Sequence, residues 1–136
     1  MESIATPAVL NILKVFVAML CGGLIGLERT TGSEAAEIRI LLLVGMGAAL
    51  FMVTASSGTI PNLFNMAAPV MIGAGLLGAG LIVREKGAVS GISSAVSVWV
   101  VAAIGSAIGS GLFIEGIFIT VVTYLVLGWL RRFVNA

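Results

Sequence analysis

Glu28 and Arg29 stand side by side where a glycine-rich apolar run ends, and Arg39 stands where the next apolar run begins. Arg84 and Glu85 repeat the arrangement after a second glycine-rich run, and Ser93-Ser94 opens the run that follows. Charged groups at the ends of apolar runs can be solvated, bind lipid phosphate or join a buried network. Ordinary flanking charge is the plain alternative at each position. Glu28 and Arg84 are the better network candidates, because each follows a helix able to pack tightly. The expected network is Glu28 accepting hydrogen bonds from Arg39 or Arg84, with Arg29 and Glu85 beside them. For a hard cation such as Mg²⁺, which takes oxygen ligands and sheds water reluctantly, only Glu28, Glu85, Ser93 and Ser94 offer oxygens at that depth. No metal site is assigned on that basis, and no cofactor is expected.

Other chemistries are poorly supplied. The chain has no histidine, which removes the usual proton shuttle and the commonest metal ligand. Its single cysteine, Cys21, allows neither an intrachain disulfide nor a zinc cluster. No nucleophile–base pair is evident, so an enzyme is not expected. Cys21 follows an apolar run as in a lipoprotein signal, but Leu20 stands where that signal needs a small residue, and a basic n-region is lacking. Gly73-Ala-Gly75-Leu-Leu-Gly78 matches a dinucleotide fingerprint in letters only, lying inside an apolar run without a strand–turn–helix context. A net charge of +1 without a basic stripe gives nucleic acid no partner surface.

The elements that must position these charges are membrane spans. The 136 residues are 60% apolar and 10% charged, against roughly 25% charged in soluble domains. A helix needs about twenty apolar residues to cross the hydrocarbon. The expectation is an all-α membrane protein, a single transmembrane domain over 1–136 with five spans near 7–27, 38–54, 64–83, 92–109 and 112–130. Gly58 and Pro61 mark a turn, Asn65 is a candidate helix cap, and the turn before the fifth span is tight enough to make the last two helices antiparallel neighbours.

Six of the seven basic residues, Arg29, Arg39, Arg84, Lys86, Arg131 and Arg132, fall on one side of such a bundle. The positive-inside rule puts that side in the cytoplasm and the N-terminus outside. Lys14 lies roughly 21 Å from Glu28 along the helix, within snorkelling reach of the opposite interface. The alternative for Lys14 is a buried cation paired with Glu115 or a carbonyl. Tyr124 and Trp129 are placed like an interfacial belt.

Glycines supply the packing surfaces. Gly22 and Gly26 are four apart, as are Gly105 and Gly109, while Gly73, Gly75, Gly78 and Gly80 crowd the third span. Small residues let helix backbones approach in lipid, so the third helix is expected at the centre. The alternative is a flexible or broken helix lining a site. Gly22-Gly-Leu-Ile-Gly-Leu-Glu28-Arg29 also echoes Gly78-Ala-Gly-Leu-Ile-Val-Arg84-Glu85, as two parallel repeats would.

These residues resemble the MgtC/SapB family of bacterial inner-membrane proteins. The matching pieces are the run Gly22 to Arg29, Gly45-Met-Gly-Ala-Ala-Leu-Phe51, the run Gly73 to Arg84, Val89-Ser-Gly91-Ile, Ala95, Trp99 and Ala102-Ala-Ile-Gly105. They stand in the family's order over roughly residues 10 to 130. Two departures stand out. Ile40 and Leu41 follow Arg39 where the family usually has Thr and then Asn or His, and Ser93-Ser94 replaces a Thr pair or Asn-Thr. The resemblance covers the transmembrane domain and not the soluble C-terminal domain of many members. It implies a multi-pass protein of the inner membrane, linked to growth under magnesium limitation, acid stress and survival of pathogens in macrophages. It implies a regulator of other membrane machines, the rotary ATP synthase being one proposed target. The alternative it leaves is a small transporter or channel for Mg²⁺, protons or another small solute. Within the lipid bilayer the glycine-rich faces are expected to be buried by a second copy, a dimer being favoured, or by a partner's helices.

Overall fold

A computed structural model describes residues 2–29, 35–57 and 64–134. The turn expected at Gly58 and Pro61 and the cap expected from the Asn65 side chain lie outside what is described. Among the described residues five helices follow in order: α1 (Glu2–Arg29), α2 (Ala35–Ser57), α3 (Phe64–Leu81), α4 (Ile92–Gly109) and α5 (Phe113–Val134). Between α3 and α4 lies a hairpin of two short strands, β1 (Val83–Glu85) and β2 (Ala88–Ser90). Among the described residues four stretches are long and apolar enough to cross a membrane: Thr6–Arg29, Glu37–Ser56, Ile92–Gly109 and Phe113–Phe133. The apolar stretch Ala67–Leu81 of α3 is shorter.

Glycine governs how α1 and α2 meet. A Cβ on Gly22 would overlap the carbonyl oxygen of Leu41, and one on Gly26 would stand 2.9 Å from the Cα of Ile38. The α2 side reciprocates at Gly45, whose added Cβ would stand 2.5 Å from the carbonyl oxygen of Ala18. The backbones touch because no side chain intervenes, and dispersion over that contact is what holds helices together where lipid supplies no hydrophobic force. The same device joins α4 to α2. An added Cβ on Gly105 would stand 2.6 Å from the Gly45 carbonyl oxygen, and one on Gly109 2.6 Å from that of Ala49.

The central helix is α4, not α3 as expected. It packs against all four other helices, and Val98, Val101, Ile104 and Ile108 fill the core with Ala18, Ile25 and Ala49. Helix α3 packs mainly on α4 and touches α2 lightly. Of its four glycines, Gly78 alone meets a neighbour, at Ala95, while Gly73, Gly75 and Gly80 have open space around them. The physical reason is that a small residue permits close approach without compelling it. Helix α4 adds buried branched side chains between its small ones, so it can fill space on several faces. The light α2–α3 contact leaves an open apolar groove of about 480 Å³ between them, lined by Val44, Ala48, Phe51, Val70 and Gly73 among others.

The third helix also stops two residues before the expected end of its span. The chain turns into the hairpin instead, pairing Val83 with Ser90, Arg84 with Val89 and Glu85 with Ala88. Lys86 and Gly87, at φ 50° and 82°, form the two-residue turn whose twist suits antiparallel strands. Gly91, at φ 88°, then starts α4 so close to the carbonyl of Leu81 that no Cβ fits. At the other end of α4, the amides of Gly111 and Leu112 close back on the carbonyls of Ile108 (3.0 Å) and Ala107 (2.9 Å). That closure, with Gly111 at φ 97°, is a Schellman cap, and it places α5 antiparallel against α4 after three residues.

Candidate functional site

The charges gather at one end of the bundle, where α1 and α5 finish and α2 and α4 begin, but in pairings the sequence did not foretell. Arg29, in the last turn of α1, donates through Nη1 to the hydroxyl of Ser93 and through Nη2 to that of Ser94, the latter at 3.1 Å. Its carboxylate partner is Glu37 in the first turn of α2, with Nη2 to Oε1 at 3.6 Å. The Ser94 hydroxyl donates to the same Glu37 oxygen. Three helices are thereby tied through one guanidinium, whose side chain is 14% exposed. A planar fork of donors suits this task better than a point charge. Nε of Arg29 is buried without an acceptor among the described residues.

Glu28 faces the other way, toward α5. Its carboxylate stands 3.4 Å from Nη2 of Arg131, and its backbone carbonyl accepts from Nη1 of Arg131 at 2.8 Å. The expected donors to Glu28 are therefore corrected. Arg39 lies on an exposed face of α2, and Arg84 sits in the hairpin, exposed along with Glu85. None of the three forms an ion pair among the described residues. The physical reason is rotation. Consecutive residues of a helix point about 100° apart, so Glu28 and Arg29 address different neighbours. The hairpin also carries Arg84 and Glu85 beyond the last turn of α3. Lys14 is half-buried and Glu115 exposed, and they do not pair with each other.

The Arg29 cluster borders a cavity of about 540 Å³ whose walls include Glu37, Leu41, Leu81, Ser94 and Val98. Ser90 and Gly91, at the end of the hairpin, also line it. Guanidinium and carboxylate offset each other there, so the cavity offers hydroxyls and apolar walls without net charge. That is poor for a divalent cation, since the one carboxylate is already held by a guanidinium. Among the described residues no three His, Cys, Asp or Glu side chains come together to hold a metal ion.

Sequence reasoning placed Ser93 and Ser94 at the right helix start but missed Glu37 and Arg131 as the partners. One signal for Glu37 was available: it and Arg29 flank the same short turn, with opposite charge. For Arg131 the only signal was its depth at the end of α5.

A bundle of span-length apolar helices with its ion pairs gathered at one end is a multi-pass membrane protein. The chain belongs to the MgtC family, which matches residues 15–136. It is 38% identical over 125 residues to the "Putative magnesium transporter YhiD" of Escherichia coli (strain K12), covering 85% of this chain and 58% of that protein. It is 36% identical over 134 residues to "Protein SrpB" of Synechococcus elongatus, covering 88% of this chain and 74% of that one. To "Protein MgtC" of Salmonella typhimurium it is 37% identical over 116 residues, covering 85% of this chain and 49% of that one. The chain thus spans about half the length of the MgtC proteins it matches. No solved structure matches it.

Proposed function

We propose that this protein is a regulatory or interaction protein of the bacterial inner membrane, acting on other membrane machinery during adaptation to low magnesium or acid stress. In this reading α3 is a fifth span, the N-terminus is outside and the C-terminus cytoplasmic. The charged end, with Arg29, Arg39, Arg84, Lys86, Arg131 and Arg132, faces the cytoplasm as the positive-inside rule requires. Exposed Arg39, Arg84 and Glu85 are the groups free to meet a partner there, while Glu28 and Arg29 hold the helix ends that present them. A second copy in the membrane is the favoured partner. The rotary ATP synthase enters by family resemblance alone.

The observation that carries this reading is how the buried hydroxyls are used. Ser97, Ser106 and Thr120 are buried, and each donates to a carbonyl of its own helix four residues earlier: Ser93, Ala102 and Gly116. Each donates its proton within its own helix, so none of the three offers a hydroxyl donor to a solute, while Ser97 also lines the cavity beside Arg29. Transport sites instead bring polar groups or broken helices to mid-membrane. An enzyme has no support in the residue set.

The second reading, a transporter or channel for Mg²⁺, protons or a small solute, is favoured by the name of the YhiD relative and by the cavity beside Arg29. Flux in sealed proteoliposomes separates the two, with a magnesium dye and a pH dye inside and empty vesicles as control. Folded, inserted protein is expected to give no saturable flux of either ion. Saturable flux lost in Glu28→Gln or Arg29→Gln would establish the transporter instead.

A further inference from the structure

We propose that the recess between the ends of α1 and α5 binds the headgroup of phosphatidylethanolamine, with the ammonium on Glu28 and the phosphate on Arg132. The recess has a volume of about 300 Å³, and Glu28, Tyr124, Gly128, Trp129, Arg131 and Arg132 line it. It lies in the last turns of two helices long and apolar enough to span a membrane, which is the depth of lipid headgroups. Tyr124 and Trp129 flank it as aromatic residues do at that level, and Trp129 packs edge-on against Phe133 with centroids 4.7 Å apart.

The carboxylate is built into place. Arg131 holds Oε1 of Glu28 at 3.4 Å and its backbone carbonyl at 2.8 Å. Gly128 provides the floor: a Cβ there would stand 2.9 Å from Oε1 and 3.2 Å from the carboxyl carbon. Oε2 receives no hydrogen bond from the described residues, yet the side chain is only 12% exposed. Glu28 lines the recess, so Oε2 is an accessible acceptor at headgroup depth. Glu28 and Arg131 offset each other in charge, which leaves Arg132, exposed and outside any ion pair among the described residues, as the free cation.

One accessible acceptor and one free guanidinium lining the same recess describe a zwitterionic ligand with N–H donors. The ethanolamine head supplies both halves, an ammonium for Oε2 and a phosphate for Arg132. A choline head carries the same charges but has no N–H to give. A glycerol head offers its phosphate to Arg132 but has no ammonium for Oε2. The inference rests on reading α1 and α5 as membrane spans and is independent of the regulatory role.

The test is lipid retention by the purified full chain in native mass spectrometry. The probes are phosphatidylethanolamine, its N-methyl and N,N-dimethyl forms, phosphatidylcholine and phosphatidylglycerol, all with matched acyl chains. Retention is expected to fall with each methyl added, reaching about tenfold between the ethanolamine and choline lipids, or about 1.4 kcal/mol. Glu28→Gln should remove that preference while sparing phosphatidylglycerol, and Arg132→Gln should weaken all the lipids together. The methyl series uses the unaltered chain, so it stands even if Glu28→Gln fails to fold. A flat methyl series, or glycerol lipid held as tightly as ethanolamine lipid, would overturn the proposal. Release of the protein from vesicles by alkaline carbonate would overturn the membrane-span reading itself.

Discussion

Arg131 at the end of α5 grips Glu28 at the end of α1 twice, by its carboxylate at 3.4 Å and by its backbone carbonyl at 2.8 Å. The second contact matters because α1 ends there, and a terminal carbonyl of a helix lacks an intrahelical donor. Arg131 is 42% exposed, so solvent screens the charge pairing. A double-mutant cycle with Glu28→Gln and Arg131→Gln, read by thermal unfolding in detergent, should give a coupling of about 0.5–1 kcal/mol. Raising the salt concentration should shrink it. A coupling near zero at low salt would remove this pair from the bundle's supports.

The Arg29 cluster is less exposed and depends on the shape of the guanidinium. Arg29→Lys keeps the charge but cannot serve Ser93, Ser94 and Glu37 together. It should cost about 1.5–3 kcal/mol, the range for hydrogen bonds to charged groups. Arg39→Lys, on an exposed face, should stay within about 0.5 kcal/mol. Equal melting temperatures for the two variants would show that the cluster does not hold α1, α2 and α4 together.

Glycines of similar appearance in the sequence should respond oppositely to alanine. Gly105→Ala sets a methyl 2.6 Å from the Gly45 carbonyl oxygen and 3.0 Å from Ala48, and should destabilise by about 1–3 kcal/mol through overpacking. Gly73→Ala and Gly75→Ala meet open space and should be neutral or stabilise by up to about 1 kcal/mol, as alanine favours a helix. Unfolding of each variant in detergent checks the contrast. If Gly73→Ala disrupts only a dimer, its open face is the copy-to-copy contact.

Gly91 combines two constraints. Its φ of 88° is unfavourable to other residues, and the Leu81 carbonyl occupies the place of a Cβ. Gly91→Ala should cost at least about 1–2 kcal/mol and displace the start of α4. Crosslinking between cysteines placed at Ser94 and Glu37, in contact in the parent, in the otherwise cysteine-free Cys21→Ser chain should then fall relative to the Gly91 parent.

The proposed orientation has its own check. A reporter that is active only in the cytoplasm, fused after Ala136, should be active. Activity of a periplasm-specific reporter at that position would reverse the bundle.

Much of the architecture was legible because the membrane reduces folding to few variables. Apolar runs of span length appear as α1, α2, α4 and α5, and the turn at Ser110–Leu112 is as tight as its length required. The glycine spacing at Gly22 and Gly26, and at Gly105 and Gly109, pointed to close helix contacts, and those contacts are present. The hairpin at Val83–Ser90 was missed because its charges look like ordinary span flanks, although Lys86-Gly87 between two short β-compatible runs is a turn signal.

Composition and the order of apolar runs thus determined that the chain is a helical membrane protein with most of its charges at one end. Those properties follow from the local sum of transfer free energies along each run, which needs no knowledge of neighbours. Tertiary structure alone decided that α4 is central, that Gly73 and Gly75 face open space, and that Glu28 pairs with Arg131 while Arg29 pairs with Glu37. Each depends on the rotation of one helix against another. A turn of about 100° per residue sends adjacent charges to different partners, and the packing of all five helices together sets that rotation.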